Sequence, residues 1–306
     1  KLILMYGIAS GMSYLHSHSH LHCDLKTENI WLDYRFFPKI SGFYNCTSNS
    51  EEEEYSYKKY QIKGTPAYLS PEIYKYEGIN KNSDVYSYSL LIYEIVHNKR
   101  VFEDINDLEI LRDKIIKGER PIIKENIPSI YAQLIERCWQ EEPKERPTFE
   151  DIVNELETNK EYITNTINEE EYRNYIKYIK KSKITYGTSD NLPNLNNISI
   201  TNKYDTIKHL NFKGIYETEL NNISYFLKYM NYDDFSIKKK KKKSNQANFI
   251  EIFTHKTTNT KYMAISNLLY SDRAINLSLI LDNPCILKFI GFCENKKKKN
   301  NSFILL

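Results

Sequence analysis

Residues 22–29 read HCDLKTEN, and this run decides how the rest of the sequence is interpreted. It places a carboxylate at Asp24, a cation at Lys26 and an amide at Asn29, in the spacing D-x-K-x-x-N. Phosphoryl transfer to a hydroxyl group uses three such groups: a carboxylate that accepts the proton, a cation near the transferred phosphate, and an oxygen ligand for Mg²⁺. The run therefore predicts a loop that brings these three groups together.

The run resembles the catalytic loop of protein kinases, and further landmarks of that family stand in the same order along the chain. Residues 11–16 (GMSYLH) are similar to the end of the helix before that loop, and residues 64–72 (GTPAYLSPE) are similar to the substrate-side loop that ends in A-P-E. Residues 84–89 (DVYSYS) resemble the start of the central helix, and residues 137–149 resemble the closing segment of tyrosine-kinase-like kinases. Residues 1–157 are thus identified as resembling the mostly helical C-terminal lobe (C-lobe) of a kinase.

The resemblance implies roles for further residues. Asp24, Lys26 and Asn29 would keep the three catalytic roles given above, and Thr65 would mark the Ser/Thr type, since tyrosine kinases build this loop differently. Glu72 of the A-P-E sequence would pair with the later Arg146. A buried ion pair of this kind is mainly structural, and losing one partner is costly.

Several positions depart from the family pattern. Kinases follow the catalytic loop with D-F-G, whose Asp holds Mg²⁺, but here the sequence is GFY, with Gly42 in place of Asp and Tyr44 in place of Gly. Asn29 would remain as the only metal ligand, which leaves the site incomplete because Mg²⁺ is normally bound through carboxylates and phosphates. Cys23 replaces the Arg that usually pairs with a phosphorylated activation loop.

The C-terminal part of the chain carries a fainter resemblance to a kinase N-terminal lobe (N-lobe). Residues 262–266 resemble the V-A-I-K strand, and residues 283–292 resemble the strand that follows the αC helix. Ser266 stands where the phosphate-pairing Lys belongs, and Ala274 stands near the position of its Glu partner. Residues 232–306 are therefore expected to be a degenerate, truncated N-lobe-like unit; the alternative is an unrelated small β-rich unit.

The order of these parts leaves two organisations open. A C-lobe at 1–157 comes first, a helical and linker segment at 158–231 follows, and the N-lobe-like unit comes last, which together predict an α+β fold. The simplest interpretation is a fragment of a tandem-kinase protein, and the absence of Met at position 1 and the apolar run at 303–306 fit a fragment. In the alternative, the two lobes dock on each other as a circularly permuted kinase.

Periodicity predicts the individual elements. Helices are expected at 1–16, 84–96, 106–117, 128–139, 148–157, 160–181 and 271–281. Strands are expected at 249–253, 262–265, 286–292 and 303–306, and an exposed loop at 45–60. The helix at 84–96 is apolar on nearly all sides, which is typical of a central helix.

Composition limits the partners and the compartment. The net charge is only +3, and the lysine excess lies in runs at 238–243 and 296–299, which we interpret as solvated insertions. We therefore expect no nucleic-acid partner, and no apolar run approaches the roughly 18 residues of a membrane span. The five cysteines form no C-x-x-C pair, so we expect reduced thiols and a cytoplasmic protein.

Two further features are given no functional weight. Histidines alternate at positions 16, 18, 20 and 22, but in the kinase register they span a helix end, a loop and the catalytic motif, so they need not converge on a metal. The 26 tyrosines accompany many Lys, Asn and Ile residues, a bias that AT-rich coding produces.

Two functions remain open at this stage. The first is a pseudokinase that acts in signalling by binding proteins or regulating a neighbouring domain. The second is a weakly active Ser/Thr kinase that phosphorylates proteins and uses an N-lobe upstream of Lys1. ATP and Mg²⁺ would be the cofactors if activity survives, and no cofactor is expected otherwise.

Overall fold

The computed structural model describes residues 1–33, 35–48, 64–185, 228–231, 235–238, 250–255, 261–266, 283–287, 291–294 and 302–305. The chain divides into two units. The first unit contains Lys1–Thr188 together with Asn283–Ile286, and the second contains Ser189–Asp282 and Leu287–Leu306. The first unit therefore continues beyond residue 157, where the composition changes.

The first unit is mostly helical, with two small hairpin-like strand pairs. Its helices are α1 (Leu2–Ser17), α2 (Pro71–Tyr74), α3 (Lys81–His97), α4 (Leu108–Ile116), α5 (Ser129–Cys138), α6 (Phe149–Thr158) and α7 (Glu169–Thr185). Strand β1 (His20–Leu21) pairs with β4 (Thr47–Ser48), and β2 (Ile30–Leu32) pairs with β3 (Pro38–Ile40), both antiparallel. The predicted loop at 45–60 is thus wrong at 47–48, and its residues 49–60 lie outside the described part of the chain.

Helix α3 is the centre of the first unit, as its apolar pattern predicted. It starts behind Asn80, whose side chain accepts hydrogen bonds from the backbone N–H groups of Asn82 and Ser83. It ends at Asn98, which adopts the left-handed conformation that stops a helix. Between these caps nearly every side chain is buried, so the helix acts as a rigid support for the loops that pack against it.

Tyrosines form a large part of this core. Tyr6 of α1 packs edge-on against Tyr172 and Tyr175 of α7, with ring centroids 5.9 and 6.2 Å apart. The buried hydroxyl groups have partners: Tyr172 donates to Leu156 O at 2.8 Å and Tyr88 donates to Met5 O at 2.9 Å. Aromatic rings bury much area while their hydroxyls satisfy backbone carbonyls, and this is how α7 is joined to the unit.

The expected pair of Glu72 and Arg146 lies buried beneath the loop that leads into α2. The Arg146 guanidinium donates to both carboxylate oxygens of Glu72, at 2.8 and 2.9 Å. The side chain of Arg146 is 0% exposed and that of Glu72 is 4% exposed. Ser83 Oγ also donates to Glu72 at 2.8 Å, so the pair links α2, α3 and the segment before α6.

This pair gives the stability of the chain a definite pH dependence. Burial alone raises the pKa of Glu72, but the hydrogen bond and charge of Arg146 outweigh it and hold the pKa below its usual value. A carboxyl group with a lowered folded-state pKa stabilises the fold fully above its unfolded pKa, and that contribution is lost as the pH falls through the folded pKa. We expect the loss of stability that Glu72→Gln causes, relative to wild type, to be largest at neutral pH. In urea denaturation, the difference in free energy of unfolding between wild type and Glu72→Gln should become smaller as the pH falls below the range in which a free glutamate titrates. A difference that does not change with pH would contradict the prediction.

The second unit contains a six-stranded sheet. Its strands are β5 (Lys228–Asn231), β6 (Phe235–Lys238), β7 (Ile250–His255), β8 (Lys261–Ser266), β9 (Gly291–Glu294) and β10 (Ser302–Leu305). The order is β5-β9-β10-β8-β7-β6, antiparallel except for the parallel pair of β5 and β9. An α+β fold is confirmed.

The strand predictions for this unit are partly confirmed. Strands β7, β8 and β10 match the predicted strands at 249–253, 262–265 and 303–306. The strand predicted at 286–292 is confirmed at Gly291 and Phe292, which begin β9. Residues 284–285 form a turn instead, and residues 288–290 lie outside the described part of the chain. The predicted helix at 271–281, including Ala274, lies outside the described residues, and β5 lies within the stretch expected to be helix and linker.

Candidate active site

The carboxylate of Asp84 holds the backbone at the start of the HCDLKTEN loop. Its carboxylate accepts hydrogen bonds from the backbone N–H groups of His22 and Cys23, at 2.8 and 2.9 Å, and from Nε2 of His16 at 2.9 Å. Burial by itself raises the pKa of Asp84, but the hydrogen bonds from His16 and the His22 backbone hold the pKa below its usual value. Because Asp84 stands in the first turn of α3, the central helix carries the catalytic loop directly.

His22 connects this loop to the strand pair β2–β3. Its Nε2 donates to Ser41 O at 2.8 Å, and the backbone N–H of Asp24 donates to its Nδ1 at 3.2 Å. These partners require a neutral ring with the proton on Nε2. Burial lowers the pKa of His22, which agrees with a neutral imidazole. His22 is therefore a structural link between Asp24 and Ser41.

The predicted catalytic residues Asp24, Lys26 and Thr65 lie together. Thr65 Oγ1 donates to Asp24 Oδ1 at 2.7 Å, and Lys26 Nζ donates to Thr65 Oγ1 at 2.6 Å. Lys26 Nζ is also 3.4 Å from Asp24 Oδ2. The threonine hydroxyl thus bridges the carboxylate and the ammonium group, although it comes from a segment far away in the sequence. The arrangement holds a proton-accepting carboxylate beside a fixed cation at a partly exposed surface.

Asn29 and Gly42 occupy the expected metal side of the site. Asn29 Nδ2 donates to Asp24 O at 2.7 Å and to Asp24 Oδ2 at 3.3 Å. Gly42 has φ +82°, and a Cβ built there would overlap the carboxamide of Asn29. The Asn29 side chain therefore fills the space that a side chain at position 42 would need.

The residues present do not fit a kinase-type Mg²⁺ site. Gly42 offers no ligand. Asn29 donates to Asp24 through Nδ2, so its Oδ1 would be the one remaining oxygen ligand of the predicted pair, whereas Mg²⁺ is normally bound through carboxylates and phosphates. Within the part of the chain that the structure describes, no three His, Cys, Asp or Glu side chains are grouped so that they could hold a metal ion. His16 and His22 make the separate contacts given above, and His18 contacts Tyr14 O.

Cys23 lies buried where kinases usually have Arg, so its side chain does not reach the surface of the loop. Its φ is +63°, a conformation that is uncommon for a residue other than glycine. Gly64 approaches it closely, since a Cβ at Gly64 (φ +113°) would be 2.7 Å from Cys23 O. This close approach brings the segment of Thr65 onto the catalytic loop.

Two acidic residues of α3 support the site, and the sequence reasoning assigned them no role. Asp84 is described above, and Glu94 accepts a hydrogen bond from Thr27 Oγ1 at 2.7 Å and from the backbone N–H of Val101 at 3.0 Å. The signal was present in the sequence. Carboxylates inside a helix that is otherwise apolar need buried partners, and the neighbouring loops supply them.

The remaining sequence-predicted positions lie away from this cluster. Tyr44 stands in a short 3₁₀ turn at Phe43–Asn45 and is 63% exposed, whereas Phe43 is buried against His22 with ring centroids 5.3 Å apart. Glu72 and Arg146 form their structural pair. Ser266 is the last residue of β8 in the second unit.

The helical unit, its acid-supported catalytic loop and the Glu72–Arg146 pair define a protein-kinase C-lobe. Residues 1–156 match the family model for protein tyrosine and serine/threonine kinases, and the chain belongs to this family. No helix among the described residues has the length and apolar character needed to cross a bilayer.

The chain is similar to several curated kinases. It is 34% identical over 164 residues to a probable LIM domain-containing serine/threonine-protein kinase of Dictyostelium discoideum, and the matched residues make up 54% of this chain and 24% of the relative. It is 32% identical over 152 residues to a dual specificity protein kinase of the same organism, covering 49% and 30%. It is 35% identical over 159 residues to integrin-linked protein kinase 1 of Arabidopsis thaliana, covering 49% and 33%. The chain thus spans at most a third of the length of these relatives.

Proposed function

We propose that the chain carries a catalytically impaired kinase domain, a pseudokinase, that acts in signalling by binding protein partners or by regulating a neighbouring domain. The observation that carries this proposal is the contact between Gly42 and Asn29. The position of the metal-binding carboxylate holds no side chain, and the carboxamide of Asn29 has turned into the same space. Position 42 would therefore supply no metal ligand, and Asn29 alone would leave the metal site incomplete.

The physics of phosphoryl transfer supports this proposal. Catalysis of this reaction consists almost entirely of positioning and of stabilising charge on the transferred group, to which the metal ions contribute strongly. A site that keeps its proton acceptor but lacks the metal-binding carboxylate therefore loses more of the rate enhancement than it keeps. The preserved core, with its buried ion pair and supported loop, would still present a stable surface to a partner protein.

The proposal includes residues 232–306 as a degenerate N-lobe-like unit, preceded by a segment at 158–231 that joins it to the C-lobe at 1–157. Ser266 and Ala274 would leave it without the Lys and Glu that hold ATP phosphates in active kinases. Its partners would be proteins, and its setting the cytoplasm. The first unit extends to Thr188, so the joining segment would begin with α7 packed on the C-lobe.

A weakly active Ser/Thr kinase is the second candidate, and one observation favours it. Asp24, Thr65 and Lys26 are joined in the arrangement that proton transfer from a substrate hydroxyl would need. Two of the three relatives described above are named as serine/threonine or dual specificity kinases. This function would use ATP and Mg²⁺ and would need an N-lobe that the described residues do not supply.

A thermal-shift titration tests the proposed function. We expect ATP with Mg²⁺ to leave the melting temperature of the chain unchanged, because Gly42 supplies no carboxylate and leaves Asn29 as the only metal ligand. A competent site filled at 100 times its Kd would contribute about 2.7 kcal/mol, which corresponds to a rise of roughly 5–10 °C for a unit of this size. ATP with a chelator is the control, since binding of the triphosphate to lysine runs would not require metal. A saturable rise that depends on Mg²⁺ would count against the pseudokinase and favour the second candidate.

A further inference from the structure

The segment at 121–127, which we call the α4–α5 loop, contacts the C-terminal end of α3. Tyr93 Oη donates to Ile122 O at 2.9 Å, and Lys124 N donates to His97 Nε2 at 3.1 Å. Among the residues that the structure describes, these are the hydrogen bonds that join this loop to another element. Two side chains of α3 therefore hold the backbone of the loop.

The two side chains also pack on each other. Tyr93 and His97 lie one turn apart on α3, and their rings are stacked with centroids 3.9 Å apart and an interplanar angle of 18°. The stacking fixes the orientation of the imidazole, so its Nε2 is already directed at the loop.

The contacts of His97 require a neutral imidazole. Its Nδ1 lies 3.0 Å from Tyr93 O, and a carbonyl oxygen only accepts, so Nδ1 carries a proton. Its Nε2 accepts from the backbone N–H of Lys124, which only donates, so Nε2 carries none. A proton added to Nε2 would point at that N–H and would remove the hydrogen bond.

The charges near His97 also disfavour protonation. Lys124 lies on the loop and Lys1 at the start of α1, whereas Lys99 is paired with Glu103 at 2.9 Å. Burial lowers the pKa of His97, and the charges of Lys124 and Lys1 act in the same direction, which outweighs the hydrogen bond that Nδ1 donates. A histidine with a lowered folded-state pKa stabilises the fold fully above its unfolded pKa, and this contribution is lost as the pH falls to the folded pKa.

We propose that Tyr93 and His97 form a pH-sensitive switch, in which the neutral imidazole holds the α4–α5 loop on α3 and protonation of Nε2 releases Lys124. The proposal is independent of whether the kinase domain is active. It concerns a part of the first unit away from the catalytic loop, and histidine is the side chain whose ordinary titration falls in the physiological range.

The chain on both sides of the loop is fixed independently of His97. Before the loop, Arg120 donates from Nε to Trp139 O at 3.1 Å and from Nη2 to Glu141 Oε2 at 2.9 Å. After it, α5 packs against α3. Protonation would therefore free the middle of the loop without detaching its ends. This part carries Ile122, which is 84% exposed, so its release would change an apolar part of the surface.

Hydrogen exchange of the unmodified chain, followed by mass spectrometry, tests the switch. Corrected for the intrinsic exchange rate, the protection of peptides from the α4–α5 loop should fall by roughly 2- to 12-fold between about pH 8 and about pH 5, as the loss of one hydrogen bond predicts. Peptides from α5 are the internal control and should keep their protection. Unchanged protection of the loop, or an equal loss in α5, would overturn the proposal.

Two variants separate the hydrogen-bond acceptor from its titration. His97→Gln supplies an acceptor that does not titrate, so the loop should stay protected at both pH values. His97→Phe keeps a stacked ring without an acceptor, so protection should be low at both. His18→Gln is the matched control, because His18 is also partly exposed and its Nδ1 lies 2.8 Å from a carbonyl oxygen four residues earlier. A full pH response in His97→Gln would overturn the role of His97.

Heteronuclear NMR of the imidazole gives a readout that a purely structural contact would not change. The His97 ring, identified by its absence from the spectrum of His97→Gln, should carry its proton on Nδ1 in the neutral form. It should titrate with a pKa below the usual value for histidine. A neutral ring protonated on Nε2, or a pKa at or above the usual value, would overturn the proposal.

Discussion

Arg146→Ala is expected to lower the free energy of unfolding of the first unit by about 3–5 kcal/mol. The Arg146 side chain donates to both oxygens of Glu72 and also to the backbone carbonyls of Gln140, Asn82 and Glu141, at 2.8 to 3.0 Å. Removing the guanidinium leaves the Glu72 carboxylate buried with Ser83 as its remaining side-chain donor. A buried charge without its partner costs far more than the pair itself contributes, which sets the size of the effect.

The measurement can be confined to the first unit. The two tryptophans of the chain, Trp31 and Trp139, both lie in it, so tryptophan fluorescence during urea denaturation reports its unfolding without a contribution from the second unit. Arg137→Ala is the matched control, because Arg137 pairs with Glu155 while its side chain is 46% exposed. Exposed pairs contribute only about 0–1 kcal/mol. Equal midpoints for Arg146→Ala and wild type would show that the buried pair does not form in solution.

Patterns in the sequence predicted those parts of the fold in which one segment determines its own structure. The all-round apolar pattern of α3 predicted a central helix, and Asn80 before it supplies the cap that starts it. Residue types and spacing predicted that Asp24, Lys26 and Asn29 share one loop, and the resemblance to kinases identified it as the catalytic loop. In the structure, Lys26 Nζ lies 3.4 Å from Asp24 Oδ2, and Asn29 Nδ2 donates to Asp24 O. The catalytic roles of these residues stay predictions.

Features that depend on distant segments could not be predicted in this way. The sequence does not show that tyrosines of α7 are buried, because their burial depends on the contact with α1. The turn before the strand predicted at 286–292 was not predicted either, since periodicity cannot show that Asn283 Oδ1 accepts from the backbone N–H of Cys285 or that Gly11 leaves room for Cys285.

The last prediction is a repair of the active site, tested in a fusion that carries a competent kinase N-lobe before Lys1. We expect Gly42→Asp combined with Tyr44→Gly to give measurable phosphorylation of a Ser/Thr peptide, because the new carboxylate restores the missing metal ligand. The new side chain must displace the carboxamide of Asn29, and φ of +82° is unfavourable for Asp. The repair should therefore cost about 1–3 kcal/mol of stability.

Two further variants separate the possible reasons for a gain in activity. Gly42→Ala displaces Asn29 and strains the backbone in the same way but adds no carboxylate, so it should stay inactive. Adding Asp24→Asn to the repaired fusion should reduce the rate by at least about 10²-fold, since an amide cannot accept the proton of the substrate hydroxyl. A repaired fusion that binds Mg²⁺-ATP but transfers no phosphate would refute the roles assigned to Asp24 and Lys26. If the fusion with Gly42 unchanged were equally active, the site would not be impaired, and the weakly active kinase would be the correct function.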